Sequence, residues 1–228
     1  MSLLRNIWAV FSKMWTSEQG LSVFLVLLVL MAFVLPPLVP IGAPGRFLAD
    51  TVFSLLLLSG VASVSRWRWA FYLMTSVASA ALLVRWLSWF YSISATVVLR
   101  EWAFLATLVT FFVVVLARVL RGGVVTIQRI EGAIAAYVLL GLSWASAYKL
   151  VALAHPGAFA GALNAADGGG ELIYFSFVTL TTMGYGDITP IHPIARSLAI
   201  TEALTGQLYI AILLARLVSL ELHGRRHT

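Results

Sequence analysis

Long charge-free apolar stretches constrain this chain more than any other feature. A helix needs about 20 mostly apolar residues to cross a bilayer core of about 30 Å. Six stretches meet that requirement. The first has its apolar body at 21–35 and ends where Pro36, Pro37 and Pro40 withdraw backbone donors. The others run over about 47–65, 67–87, 102–120, 130–151 and 194–220. The first is too long for a signal-peptide core, and no small-residue cleavage site follows it, so it reads as a retained helix. Composition agrees: 61% of residues are hydrophobic and 11% charged, against about 25% charged in a soluble domain. A soluble globule, a disordered chain and a free nucleic-acid-binding domain are thereby excluded. The absence of cysteine removes disulfides and thiolate chemistry.

Six crossings put both termini on one side. With the termini inside, cytoplasmic segments carry ten of the Lys and Arg residues and outer segments five. This asymmetry predicts cytoplasmic termini. The excess of Arg over Lys and the short loops point to a bacterial inner membrane. Residues 3–15 carry Leu4, Ile7, Trp8, Phe11 and Trp15 at helical spacing. They fit a helix lying on the inner membrane surface or one packed on the protein. The predicted segments are the amphipathic N-terminus 1–19, a four-helix peripheral unit 20–121, a pore unit 122–220 and a short tail 221–228.

Between the last two crossings lies a Gly-rich stretch, 155–170, then ELIYFSFVTLTT at 171–182 and MGYGDITP at 183–190. Twelve residues span only about 18 Å as a helix, so 171–181 is expected to be a re-entrant helix. Its Gly-rich return must line a water-filled path or be buried in protein. A dehydrated cation wants many oxygen ligands of moderate field strength, which backbone carbonyls supply. Gly184 and Gly186 alternate as such a strand requires. Tyr185 between them is placed to brace it, and Thr182 to add a hydroxyl oxygen at the inner mouth.

The run T-L-T-T-M-G-Y-G-D (179–187) resembles the signature of the tetrameric potassium channel superfamily. The resemblance covers about residues 130–220, and the six-helix layout is similar to the voltage-gated branch. It implies an all-α membrane protein whose six transmembrane helices and re-entrant pore helix form a four-fold pore as a homotetramer. By the same resemblance Thr182, Met183, Gly184, Tyr185 and Gly186 form the selectivity filter, with K+ at Thr182, Met183, Gly184 and Tyr185. Asp187 lies at its outer mouth. K+ is the permeant ion, and no cofactor is implied. Met183 departs from the commoner Val. Tyr174 and Phe175 stand where many relatives carry two Trp, and Phe175 has no donor to offer Tyr185. Val178 stands where some relatives carry a Glu paired with the outer Asp. Gly206 falls at a hinge-glycine position, which small residues also occupy for close packing. Gln207, Ile210 and Leu214 are the expected cavity-lining positions, with an inner gate over 214–218.

Glu202 is the one acid inside the sixth stretch. Such groups are costly and face a partner or water. It is expected to hold the pore helix near Thr179 or Thr181, or to form a plain helix–helix bond. The fourth stretch carries no basic residue between 102 and 117, whereas voltage sensing needs about 3–4 moving charges per subunit; strong voltage gating is not expected. Asp50 and Arg85 are positioned to pair across helix ends. Arg118, Arg121 and Arg129 fit either anionic lipid headgroups or ordinary cytoplasmic positive charge. Two other classes fail. Residues 141–145 (GLSWA) half-resemble a nucleophile elbow, but lie mid-helix without its last Gly, so no enzyme is expected. A transporter would show inverted repeats, and the halves of the chain do not match. No nucleic-acid partner is expected. A channel of relaxed selectivity, or one needing a partner subunit, is the alternative reading.

Overall fold

The computed structural model describes residues 19–63, 68–88, 94–120, 126–161 and 170–225. The expected N-terminal surface helix, Arg121 and the end of the tail lie outside them. The first apolar run behaves as its prolines dictate. Helix α1 (Gln19–Val29) loosens into a π turn at Leu30–Val34, where the Leu35 amide reaches back to the Leu30 carbonyl. A 3-10 turn then covers Pro36–Ile41. This run is thus a 15-residue apolar helix over 20–34, shorter than the helices that follow.

Five helices among the described residues are long and apolar enough to cross a membrane: α2 (Ala43–Ser63), α3 (Arg68–Leu87), α4 (Ser94–Val119), α5 (Ile127–Ala154) and α7 (Pro193–Arg225). Helix α4 begins eight residues earlier than expected, so Arg100 and Glu101 lie within its first turns. Between α5 and α7 come strand β1 (Phe159–Gly161), the short helix α6 (Gly170–Leu180) and strand β2 (Ile188–Pro190). The chain is an all-α membrane protein apart from this two-stranded ladder.

The main core joins both parts of the chain. Phe24 and Leu28 of α1, Phe53 and Leu57 of α2, Met74 of α3, Phe111 of α4 and Leu139 of α5 are all buried in it. Small residues let the helices approach, as is usual where lipid offers no hydrophobic drive between helices. Gly60 lies against the Phe111 ring, and Gly141 against the Phe177 ring; a Cβ on Gly141 would sit 2.7 Å from that ring. Polar ties cross the same interfaces. Ser22 donates to the Glu131 carboxylate at 2.9 Å, joining α1 to α5. Arg118 donates to the Ser63 carbonyl at 2.7 Å, joining α4 to the end of α2. The expected Asp50–Arg85 pair forms between α2 and α3, with the Arg85 guanidinium 4.7 Å over the Phe53 ring.

A second core lies under the 182–187 loop. Tyr148, Phe159 and Phe175 meet edge to face, with centroids 4.9–5.7 Å apart. Leu172, Ile188 and Ala195 close it. Each aromatic contact of this kind contributes about 0.5–1.5 kcal/mol beyond its buried area.

Candidate functional site

The loop after α6 is built from its carbonyls. The Val178 carbonyl accepts from the Met183 amide at 2.9 Å and the Gly184 amide at 3.3 Å. The Thr179 carbonyl takes the Thr182 amide at 2.9 Å, and the Thr181 hydroxyl donates to the Phe177 carbonyl at 2.6 Å. These bonds satisfy carbonyls a helix end leaves open and fix where the loop departs. Val178 therefore acts through its backbone, a role its side chain could not signal in the sequence.

The loop then alternates in hand. Thr182 has φ +60°, Gly184 +55° and Gly186 +80°, and Thr182 is the one described non-glycine residue with positive φ. Met183 and Tyr185 between them keep negative φ. Alternating hand turns successive peptide groups the same way, gathering amides on one side and carbonyls on the other. Glycine reaches the positive angles without strain. A threonine there costs about 1–3 kcal/mol and persists only where its surroundings enforce it. The sequence pointed to the two glycines; the third position of the alternation, Thr182, was not legible, because nothing in a threonine announces positive φ. Met183 and Tyr185 are 59% and 64% exposed in the single chain. The bracing expected of Tyr185 does not come from a buried contact within its own chain.

Beside the loop, Tyr174 reaches the Asp187 carboxylate from the exposed side of α6. Phe175 points the other way, into the aromatic cluster. Strand β1 pairs antiparallel with β2, placing Phe159 opposite Pro190 and Gly161 opposite Ile188. Gly161 has φ +112°, and a Cβ there would lie 2.0 Å from the Asp187 carbonyl oxygen. The Gly-rich stretch, expected to be turn, thus includes a strand that clamps the return from the loop. Pairing of three-residue strands far apart in sequence leaves no local pattern to read.

Helix α7 supports the loop from behind. Glu202 is fully buried. Its Oε1 lies 2.5 Å from the Ser176 hydroxyl and its Oε2 accepts from the Tyr148 hydroxyl at 2.5 Å. It therefore touches α6 at Ser176 rather than at Thr179 or Thr181, and reaches α5 as well. Gly206 packs on the end of α6: a Cβ would stand 2.4 Å from the Leu180 carbonyl oxygen. Helix α7 runs unbroken through it, so close packing accounts for this glycine. The Gln207 amide donates to the Thr182 hydroxyl at 3.2 Å. Ile210 and Leu214 continue the same face, 51% and 62% exposed. The Tyr209 hydroxyl donates to the Ala133 carbonyl at 2.6 Å, binding α7 to α5.

The ion channel family matches residues 148–221, which contain the aromatic cluster, the alternating loop and most of α7. The two pore potassium channel c of Oryza sativa subsp. japonica is 35% identical over 92 residues. Residues 148–221 belong to the potassium channel superfamily. The alignment covers 40% of this chain and 19% of the rice protein, so the likeness to this potassium channel is local to one region. No solved structure matches the chain. An ion channel domain of the potassium channel superfamily, carried on apolar helices, makes this a multi-pass membrane protein.

Proposed function

We propose that the chain is the subunit of a potassium-selective channel, passing K+ passively through a filter of Thr182, Met183, Gly184, Tyr185 and Gly186. The observation that carries this reading is the alternation of backbone hand at Thr182, Gly184 and Gly186. It supports a strand that offers one side lined with carbonyl oxygens, which replace the water of a dehydrated cation. A single strand surrounds no ion. Four chains about one axis supply rings of carbonyls, so a homotetramer is the assembly proposed. The long exposed apolar surface of α7, with Leu204, Leu208 and Ile212 all more than half exposed, supports burial against partner helices and lipid.

In this reading K+ occupies sites at Thr182, Met183, Gly184 and Tyr185, with the Thr182 hydroxyl at the inner mouth and Asp187 at the outer. Gln207, Ile210 and Leu214 line the cavity below. The units proposed are a peripheral one at 20–121 and a pore unit at 122–220, in an inner membrane with both termini cytoplasmic. The peripheral helices move little charge: Arg100 and Arg118 stand at opposite ends of α4, and the residues between them are uncharged apart from Glu101. Voltage therefore opens the pore weakly, if at all. Anionic lipid at Arg118, Arg121 and Arg129 is a further element of the proposal. No step of this function is enzymatic.

The test is the reversal potential of purified protein in planar bilayers under a potassium/sodium gradient. Reversal near the potassium equilibrium potential is expected. Reversal near zero with open channels would overturn selectivity and favour a relaxed filter around Met183. Silence in every lipid, relieved only by a second polypeptide, would replace the homotetramer by a partnered channel.

A further inference from the structure

A cavity of about 400 Å³ lies between the peripheral helices and α5–α6. Its wall carries Asp50, Arg85, Arg100, Glu101 and Lys149. All five sit at the same end of the bundle, near the start of α2 and α4 and the end of α3 and α5. The start of α6 lines it too, through Gly170 and Ile173. Tyr174, one residue on, reaches Asp187, so this is the end that carries the mouth of the loop.

Two features set the chemistry of an occupant. Among the described lining residues three cations face two carboxylates. Asp50 is engaged by Arg85, while a single oxygen of Glu101 is shared by Lys149 at 2.9 Å and Arg100 at 3.5 Å. One carboxylate serving two cations leaves room for a second anion. The wall also holds Ser146, only 4% exposed, whose buried hydroxyl has no hydrogen-bond partner. Beyond the charged end the lining is apolar: Met31, Leu35, Val39, Phe104 and Leu142. A charged end with an excess of cations, continuous with an apolar bed, matches an acidic amphiphile better than a free metal cation, a neutral lipid or a soluble anion.

We infer that this cavity binds an acidic amphiphile, its carboxylate or phosphate between Arg100 and Lys149 and its acyl chain along Leu35, Val39 and Phe104. The occupant touches Ile173 and so rests on the pore helix. Binding is independent of whether the chain conducts potassium, and it is read without current.

The experiment follows thermal unfolding of the purified full chain in neutral detergent, with sodium oleate, dioleoylphosphatidylglycerol or methyl oleate added. Both acids, or one of them, should raise the midpoint, and methyl oleate should not. Oleate alone would identify a free fatty acid as the ligand, and phosphatidylglycerol alone a phospholipid headgroup. In Arg100→Gln, which keeps Lys149 to neutralise Glu101, the half-maximal concentration should rise roughly tenfold, the loss of one charge-assisted contact. Raising salt on the unmodified protein should weaken the acid's effect in the same direction, a reading that survives if the variant does not fold. No shift from either acid, an equal shift from methyl oleate, or a response that neither Arg100→Gln nor salt weakens would overturn the inference.

Discussion

Replacing Glu202 by glutamine should be tolerated, while replacing it by alanine should not. The reason is a count of protons. The Ser176 hydroxyl has one, yet two oxygens lie within reach: the Gly141 carbonyl at 2.7 Å and Glu202 Oε1 at 2.5 Å. A carboxylic acid resolves the count, donating from Oε1 to Ser176 while Ser176 donates to Gly141 and Tyr148 donates to Oε2. Glutamine reproduces that pattern, its amide nitrogen toward Ser176 and its oxygen toward Tyr148, and should leave stability within about 1 kcal/mol. Alanine removes both interhelical bonds, worth about 0.6–2 kcal/mol each in a membrane bundle. It also strands the buried Tyr148 hydroxyl at a cost of about 1–3 kcal/mol, so the loss should total about 3–5 kcal/mol. Thermal unfolding of the three proteins in one detergent, with reversal potentials beside it, is the assay. Because the triad joins α5, α6 and α7 directly behind the loop, the alanine variant should also lose discrimination between potassium and sodium. Glutamine as damaging as alanine would show that a carboxylate is needed and refute the proton count. An alanine variant of unchanged stability and selectivity would remove Glu202 from the support of the loop.

The other predictions rest on single contacts. Gly206→Ala sets a methyl 2.4 Å from the Leu180 carbonyl oxygen and should cost about 1–3 kcal/mol in thermal unfolding; unchanged stability with altered opening would mark a hinge instead. Gly161→Ala forces a side chain at φ +112° toward the Asp187 carbonyl. It should cost about 1–3 kcal/mol and shift the potassium/sodium permeability ratio, whereas an unchanged ratio would separate the β1–β2 clamp from the filter. Leu214→Ala should raise closed-state leak if the inner constriction lies over 214–218, and single-channel recording decides. Open probability swept over voltage should rise far less steeply than for a sensor moving about 3–4 charges per subunit; a slope of that size would refute the reading of α4.

The membrane character, the helix order and the loop chemistry were legible in the sequence because each rests on neighbours in the chain. An apolar run long enough to cross, a proline cluster that ends it, and two glycines spaced for alternating hand are local facts. The pairing of Asp50 with Arg85 was also within reach, since two opposite charges in otherwise apolar helices have few places to go. Tertiary structure decided what depends on distant residues meeting. The partners of Glu202 come from positions 26 and 54 residues away, and only helix packing brings Ser176 and Tyr148 to one carboxyl. Gly206 reads as hinge or packing site until the Leu180 carbonyl is seen against it. The strand at 159–161, the positive φ of Thr182 and the shared oxygen of Glu101 likewise have no local pattern. A one-residue change in helix rotation would unmake each of these contacts while leaving every apolar run in place, and so only the packed fold determines them.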